Sequence, residues 1–183
     1  MEMYNLNSRE IEENKENLPK DPLNPEKIDL PIYETDNFIV YACGQPHVSR
    51  EEGGHIMIYA KADISDRTKM SPKQAIEYMR LSILAGEALE TAMKNRGVPI
   101  VKINYLDNGN WAFKYNSKPH LHMHILGRAA DAVIQKFPEA VMLPAMESGF
   151  YDAFEPLNSD DMREIKRQIE ILLHDERFSS ANW

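Results

Sequence analysis

Residues 120–126, His-Leu-His-Met-His-Ile-Leu, alternate imidazole and apolar side chains without a break. An extended strand sends alternate side chains to the same face, about 6.6 Å apart. His120, His122 and His124 therefore share one face, and Leu121, Met123 and Ile125 share the other. The second set suits a core. The first gains nothing from packing, because a buried imidazole must find hydrogen-bond partners. Such a segment requires a half-buried strand with a core on one side and a cleft on the other. One histidine there would be unremarkable; three in strict alternation mark a site.

The surrounding sequence supplies the rest of such a sheet. Phe38–Tyr41 and Ile56–Tyr59 read as short strands joined by a polar loop, Gly44–Gly54. Ser71-Pro-Lys-Gln74 starts a helix: Ser at the N-cap, Pro in the first turn and Gln three residues on. The helix is expected to run to about Asn95, where Gly97 and Pro99 end it. Its apolar stripe is read as Ile76, Met79, Ile83, Ala85 or Gly86, Leu89 and Met93. Ile100–Tyr105 reads as a strand, Asp107-Asn-Gly109 as a tight turn, and Trp111–Tyr115 as the returning strand. Asn158 or Ser159 caps a last helix through about His174, with Met162, Ile165, Ile169 and Leu172 buried. No element is assigned to residues 131–156. Residues 1–30 read as an arm, with a short helix from Asn7 to Asn17 followed by Pro19, Pro22 and Pro25.

The expected organisation is an α+β fold: an antiparallel sheet with a long packed helix. The arm spans 1–30, the main domain 31–130, and a C-terminal helical extension 131–183 packs on the same domain. A chain of 183 residues suits one compact core. Its single cysteine, Cys43, excludes an intrachain disulfide or a cysteine zinc cluster and reads as an inert strand-end thiol. The net charge of −8 argues against broad binding to duplex nucleic acid or an anionic membrane, while leaving room for a small anion in a cleft. The acidic, polar first twenty residues contain no apolar signal core, so a cytoplasmic location is expected. His47 and His174 are taken as surface residues, and Trp111 and Phe113 as sheet packing. Trp183 is read as a frayed end.

Two chemistries can use a row of imidazoles. Two or three neutral rings on one strand can bind a divalent metal. Alternatively, one ring is a nucleophile while its neighbours orient it and hold the electrophile's oxygens. No further ligand with metal-site spacing follows downstream, and Gly127-Arg128 puts a cation where a phosphate would be welcome.

The motif His-φ-His-φ-His-φ-φ, with φ apolar, resembles the signature of the histidine-triad (HIT) superfamily of nucleotide hydrolases and transferases. Residues 54–59, Gly-His-Ile-Met-Ile-Tyr, resemble the family's strand that carries a fourth histidine, here His55. The likeness covers about Ile32 to Arg128. It implies a HIT-like fold, a nucleotide substrate and a homodimer paired through the long helix and an edge strand. It implies attack by His122 on an α-phosphorus, giving a nucleotidyl-histidine that water resolves. His124 would donate to a phosphate oxygen, His120 and His55 would form the supporting network, and Ser117 and Asn116 would contact the phosphate or leaving group. Asn104 would be a polar neighbour and Arg128 a phosphate cation or a solvated strand end. No metal is required, although a divalent ion can accompany a polyphosphate. One departure stands out. Family members often carry an acid before the upstream histidine strand, where it binds ribose; residues 42–54 lack one at that spacing, with Glu51 or Glu52 as substitutes. Against an enzyme stands a non-catalytic nucleotide-binding protein of the same fold.

Overall fold

The structure, a computed structural model, describes residues 20–21, 24–28, 30–179 and 182. The helix expected over Asn7–Asn17 and the terminal Trp183 lie outside them. Within the expected arm, β1 (Lys20–Asp21) and β2 (Asn24–Ile28) pair as a small antiparallel ladder. The main sheet then begins with β3 (Leu30–Glu34), β4 (Phe38–Ala42) and β5 (His55–Ala60).

The long helix α1 (Pro72–Asn95) forms with the caps its sequence specifies. Ser71 accepts the Gln74 N–H, and the Gln74 side chain accepts the Ser71 N–H. Its buried face differs from the expected stripe. Leu81, Ala85, Ala88, Leu89, Ala92 and Met93 are buried, whereas Ile76, Met79 and Ile83 are 50%, 50% and 37% exposed. The helix carries two apolar faces, and its small residues turn inward because alanines let the helix lie close on the sheet.

After α1 come β6 (Ile100–Leu106) and a second difference. Residues 111–115 do not return as a strand. They form a single helical turn, α2 (Trp111–Lys114), closed by the Tyr115 N–H on the Trp111 carbonyl. The apolar spacing of Trp111, Phe113 and Tyr115 mimics a strand, yet the partner strand for β6 is β7 (His122–Ala129). Strand order is β3-β4-β5-β7-β6, antiparallel throughout, so β7 lies between β5 and β6. β6 is an outer edge.

Finally α3 (Ser159–Leu173) starts at Asn158, whose side chain accepts the Asp160 and Asp161 N–H groups. Asp161 is buried and takes bidentate donation from Arg50 and a further bond from Arg96. This ties α3 to the loop before β5 and to the end of α1. α1 packs on β6 and β7, α3 on β3, and the helices on each other. Val40, Ile56, Ile58, Leu121, Met123 and Ile125 meet Ala85, Ala88, Leu89, Ile165 and Ile169 in one core. The other face of β5 and β7 is thereby left for the histidines. Among the described residues no helix is long and apolar enough to cross a membrane.

Candidate active site

In the β5–β7 ladder Met57 stands opposite His124 and Tyr59 opposite His122. Directly opposed residues share a face, so His55, Met57 and Tyr59 lie beside the triad's imidazoles. His120 precedes β7 but continues its line, since the Ala60 N–H donates to the Leu121 carbonyl. His120, His122 and His124 all line one cavity of about 280 Å³. Its other walls are His47, Leu143 and the loop and turn from Asn108 to Ala112.

The hydrogen bonds fix which nitrogen of each ring carries its proton. His122 Nδ1 lies 2.8 Å from the carbonyl oxygen of His120, which can only accept. Nδ1 must therefore be the donor, and the neutral ring keeps its lone pair on Nε2. The ring is held from the side by Tyr59, stacked at 5.3 Å between centroids, and meets His124 edge-on at 4.8 Å. His120 Nε2 donates likewise to the Ala60 carbonyl at 2.7 Å.

A second chain of bonds sets His124. The backbone N–H of His47 donates to His55 Nδ1 at 3.1 Å, so the proton of neutral His55 sits on Nε2. That nitrogen is 2.9 Å from His124 Nδ1, which must accept. Neutral His124 consequently carries its proton on Nε2. Both rings are held neutral: burial lowers the pKa of each well below the usual imidazole value, and neighbouring histidines lower it further. The row thus offers a lone pair on His122 beside an N–H donor on His124, which matches attack on an electrophile bearing a negative oxygen.

His47, expected at the surface, is 7% exposed and part of this row. Its ring stacks on His55 and packs against His124, Trp111 and Tyr151, with centroids 5.0–5.6 Å apart. Burial, aided by His122, lowers its pKa to about 4. A lone histidine in a polar loop carries no periodic signal, so nothing in the sequence marked it. Leu143 was equally unmarked, whereas Trp111 was read as sheet packing. Trp111 faces the cavity and Phe113 is exposed; neither packs in the sheet. Cys43 is buried just beyond β4.

The remaining expected ligands lie elsewhere. Arg128 is neither a solvated strand end nor at the cavity. It is 2% exposed, donating to Asn104 Oδ1 and to the carbonyls of Gln135, Lys136 and Glu139. Asn104 is thus engaged by Arg128 and does not line the cavity. Ser117 is exposed and donates to the Ala112 carbonyl, and exposed Asn116 has a left-handed φ of 51°. Both serve the turn before β7. Glu52, a candidate ribose acid by sequence, accepts the N–H groups of Val133, Ile134 and Gln135 instead. Among the described residues no three His, Cys, Asp or Glu side chains are arranged to hold a metal ion.

The profile of the HIT domain matches residues 24–131, more than half of the chain. No curated protein matches significantly in sequence. Several solved structures share the fold at low identity. A histidine triad protein from Bradyrhizobium japonicum is 16% identical, with TM-score 0.56, over 83% of this chain and 98% of that one. One from Sinorhizobium meliloti is 17% identical, with TM-score 0.56, over 86% and 98%. A hypothetical histidine triad nucleotide-binding protein from Sulfolobus tokodaii is 17% identical, with TM-score 0.53, over 85% and 91%. Profile, fold and the imidazole row agree, and the chain belongs to the HIT-domain family, whose members are in general nucleotide-binding hydrolases and transferases.

Proposed function

We propose that this protein hydrolyses or transfers at the α-phosphate of a nucleotide through a nucleotidyl-histidine on His122. The observation that carries the reading is the 2.8 Å bond from His122 Nδ1 to the His120 carbonyl, which leaves Nε2 as the nucleophilic atom. Nε2 attacks the α-phosphorus, a P–Nε2 bond forms, and the leaving group departs with the electrons of its own bond to phosphorus. The ring becomes cationic, and its Nδ1–H bond to a carbonyl strengthens with that charge. His124 Nε2–H donates to a non-bridging oxygen as negative charge develops there. Water then breaks the P–Nε2 bond and releases the nucleoside monophosphate. The scheme rests on the four histidines 55, 120, 122 and 124, not on Asn104, Asn116, Ser117 or Arg128. It requires no metal; a divalent ion would enter with a polyphosphate substrate.

Phosphoramidates, adenylylated groups and dinucleoside polyphosphates all present the required phosphorus. Incubation with adenosine 5′-phosphoramidate, alkaline quench and intact mass measurement tests the chemistry. Adenylylated protein in the wild type, absent from His122→Ala, is the expected result. Tight AMP binding without an adduct or turnover on any of the three classes would replace the enzyme by a binding protein.

The protein is further proposed to form a homodimer. Ile76, Met79 and Ile83 make an exposed apolar stripe on α1, and Val101 and Tyr105 are half-exposed on the neighbouring edge strand β6. Sedimentation velocity tests this, and a monomer at micromolar concentration would overturn it.

A further inference from the structure

The protonation of His124 depends on a peptide group that the histidine motif does not contain. His47 presents its N–H to His55 Nδ1, and this single bond selects the tautomer of both His55 and His124. The carbonyl of the same residue is held from the opposite direction. Gln135 Nε2 donates to the His47 carbonyl at 2.8 Å and to the Met142 carbonyl at 2.9 Å, and Gln135 Oε1 accepts the Met142 N–H at 2.9 Å. All the side-chain amide's partners are thus main-chain groups, and the residue is 1% exposed.

Gln135 is itself fixed at both ends of its backbone. Its N–H donates to Glu52 Oε2 at 2.8 Å, and its carbonyl accepts from Arg128 at 3.0 Å. It lies beyond residues 24–131, in the stretch to which the sequence assigned no element. A buried amide whose three side-chain bonds all clamp main chain, one of them on the residue that sets the imidazole relay, is more than loop filling.

We propose that Gln135 is a positioning residue of this site: its hold on the His47 carbonyl keeps the His47 N–H on His55 and thereby keeps the proton of His124 on Nε2. The inference rests on the catalytic reading above. The relay has two states. With the His47 N–H in place, His55 donates to His124, and His124 offers N–H to the phosphate. With that N–H displaced, His55 can carry its proton on Nδ1, His124 Nδ1 then donates to His55 Nε2, and His124 turns a lone pair toward a negative oxygen. The second state repels the developing charge where the first stabilises it. Loss of the correct tautomer in a hydrolytic triad costs up to about 10⁴ in rate; partial population of the wrong state by loss of one supporting bond costs about tenfold to a hundredfold.

The test uses the full chain carrying ¹⁵N-labelled histidine. In the wild type at neutral pH, long-range ¹H–¹⁵N spectra are expected to show His55 and His124 protonated at Nε2 and His122 protonated at Nδ1. Gln135→Leu keeps the volume and removes the donor. Expected are mixed tautomers at His55 and His124, an unchanged His122, and a kcat lower by about tenfold or more with KM little altered. A folded Gln135→Leu protein with wild-type tautomers and wild-type kcat overturns the proposal. Gln135→Glu supplies a second arm, since a neutral carboxyl retains one donor for the His47 carbonyl and an ionised one retains none. Its activity should fall as pH rises through the ionisation of that carboxyl. A pH profile superimposable on the wild type overturns the proposal too. The spectra need no substrate, so absence of turnover in the wild type would sink the catalytic reading while the tautomer result is read separately.

Discussion

His122 and His124 sit two residues apart on one strand and carry their protons on opposite nitrogens, and that contrast predicts two different mutant phenotypes. His122→Ala removes the atom that bonds to phosphorus, so no nucleotidyl-protein should form at any time point. His124→Ala removes a donor to the developing oxyanion but leaves His122 and its Nδ1 bond in place. A covalent adduct should still form, with kcat reduced about 10²- to 10³-fold, and rapid-quench labelling separates the two. Equal and complete loss of labelling in both variants would argue against the division of labour. The triad was legible in the sequence because alternation states geometry directly: whichever way the strand lies, its three imidazoles share a face. His47 was not legible because its place depends on a loop that folds back over β5. Asn104 and Arg128 were legible as polar residues near the motif but not in their role, since which carbonyls a buried guanidinium serves is decided by a loop with no pattern of its own.

At the scale of elements, the site's geometry depends on how closely the loop before β5 approaches β7. Gly53 has φ of 135°, and a Cβ there would lie 2.2 Å from the Gly127 carbonyl oxygen; a Cβ on Gly127 would lie 2.2 Å from the Gly53 carbonyl oxygen. Both contacts are backbone to backbone, so neither side can yield cheaply. Gly127→Ala should destabilise the protein by about 3 kcal/mol or more. Gly86 is the control. A Cβ there meets the Tyr105 hydroxyl at 2.0 Å, but that is the far end of a rotatable side chain at the surface. Gly86→Ala should therefore cost little, helped by the roughly 1 kcal/mol advantage of alanine in a helix. Urea unfolding of the two variants checks both, and comparable losses would refute the backbone explanation. The helices α1 and α3 were readable because caps and periodicity act locally. The turn at residues 111–114 was misread because apolar residues at every second position also fit a turn that aims one of them, Trp111, into a cavity. The inward face of α1 was misread for a related reason: a helix with two apolar faces does not declare which one meets the sheet.

At the scale of the molecule, residues 133–142 have no regular structure and are instead fastened from within by two buried charges. Glu52 takes three main-chain N–H groups, and Arg128 supplies three main-chain carbonyls and Asn104. Such holding has no hydrophobic period, which is why the sequence left this stretch unassigned. Arg128→Met would strand those acceptors without a donor, costing about 3–5 kcal/mol, or on the order of 10 °C in Tm for a chain of this size. A loss of substrate affinity with unchanged Tm would instead return Arg128 to the phosphate. The buried imidazoles set the pH response of the whole fold. His47, His55 and His124 titrate below the ordinary imidazole value of 6.5 in the folded state, His47 at about 4, mainly because burial disfavours the cation. Unfolding exposes them, and their pKa values return toward 6.5. Between these limits the unfolded chain binds protons that the folded one refuses, so stability is complete above pH 6.5 and falls as pH drops toward 4. Each imidazole that stays neutral in the folded chain contributes a loss on the order of 1 kcal/mol over the first units below pH 6.5. The carboxylates with lowered pKa, Asp161 and Glu147 among them, titrate in the unfolded chain only near or below pH 4.5 and so act mostly beneath this window. Urea unfolding at pH 7, 6 and 5 should therefore show a steep decline that His55→Gln makes shallower by one imidazole's share. A stability that stays level from pH 7 to 5 would mean that these rings are not neutral in the folded protein, and the proton placement on His124 would fail with them.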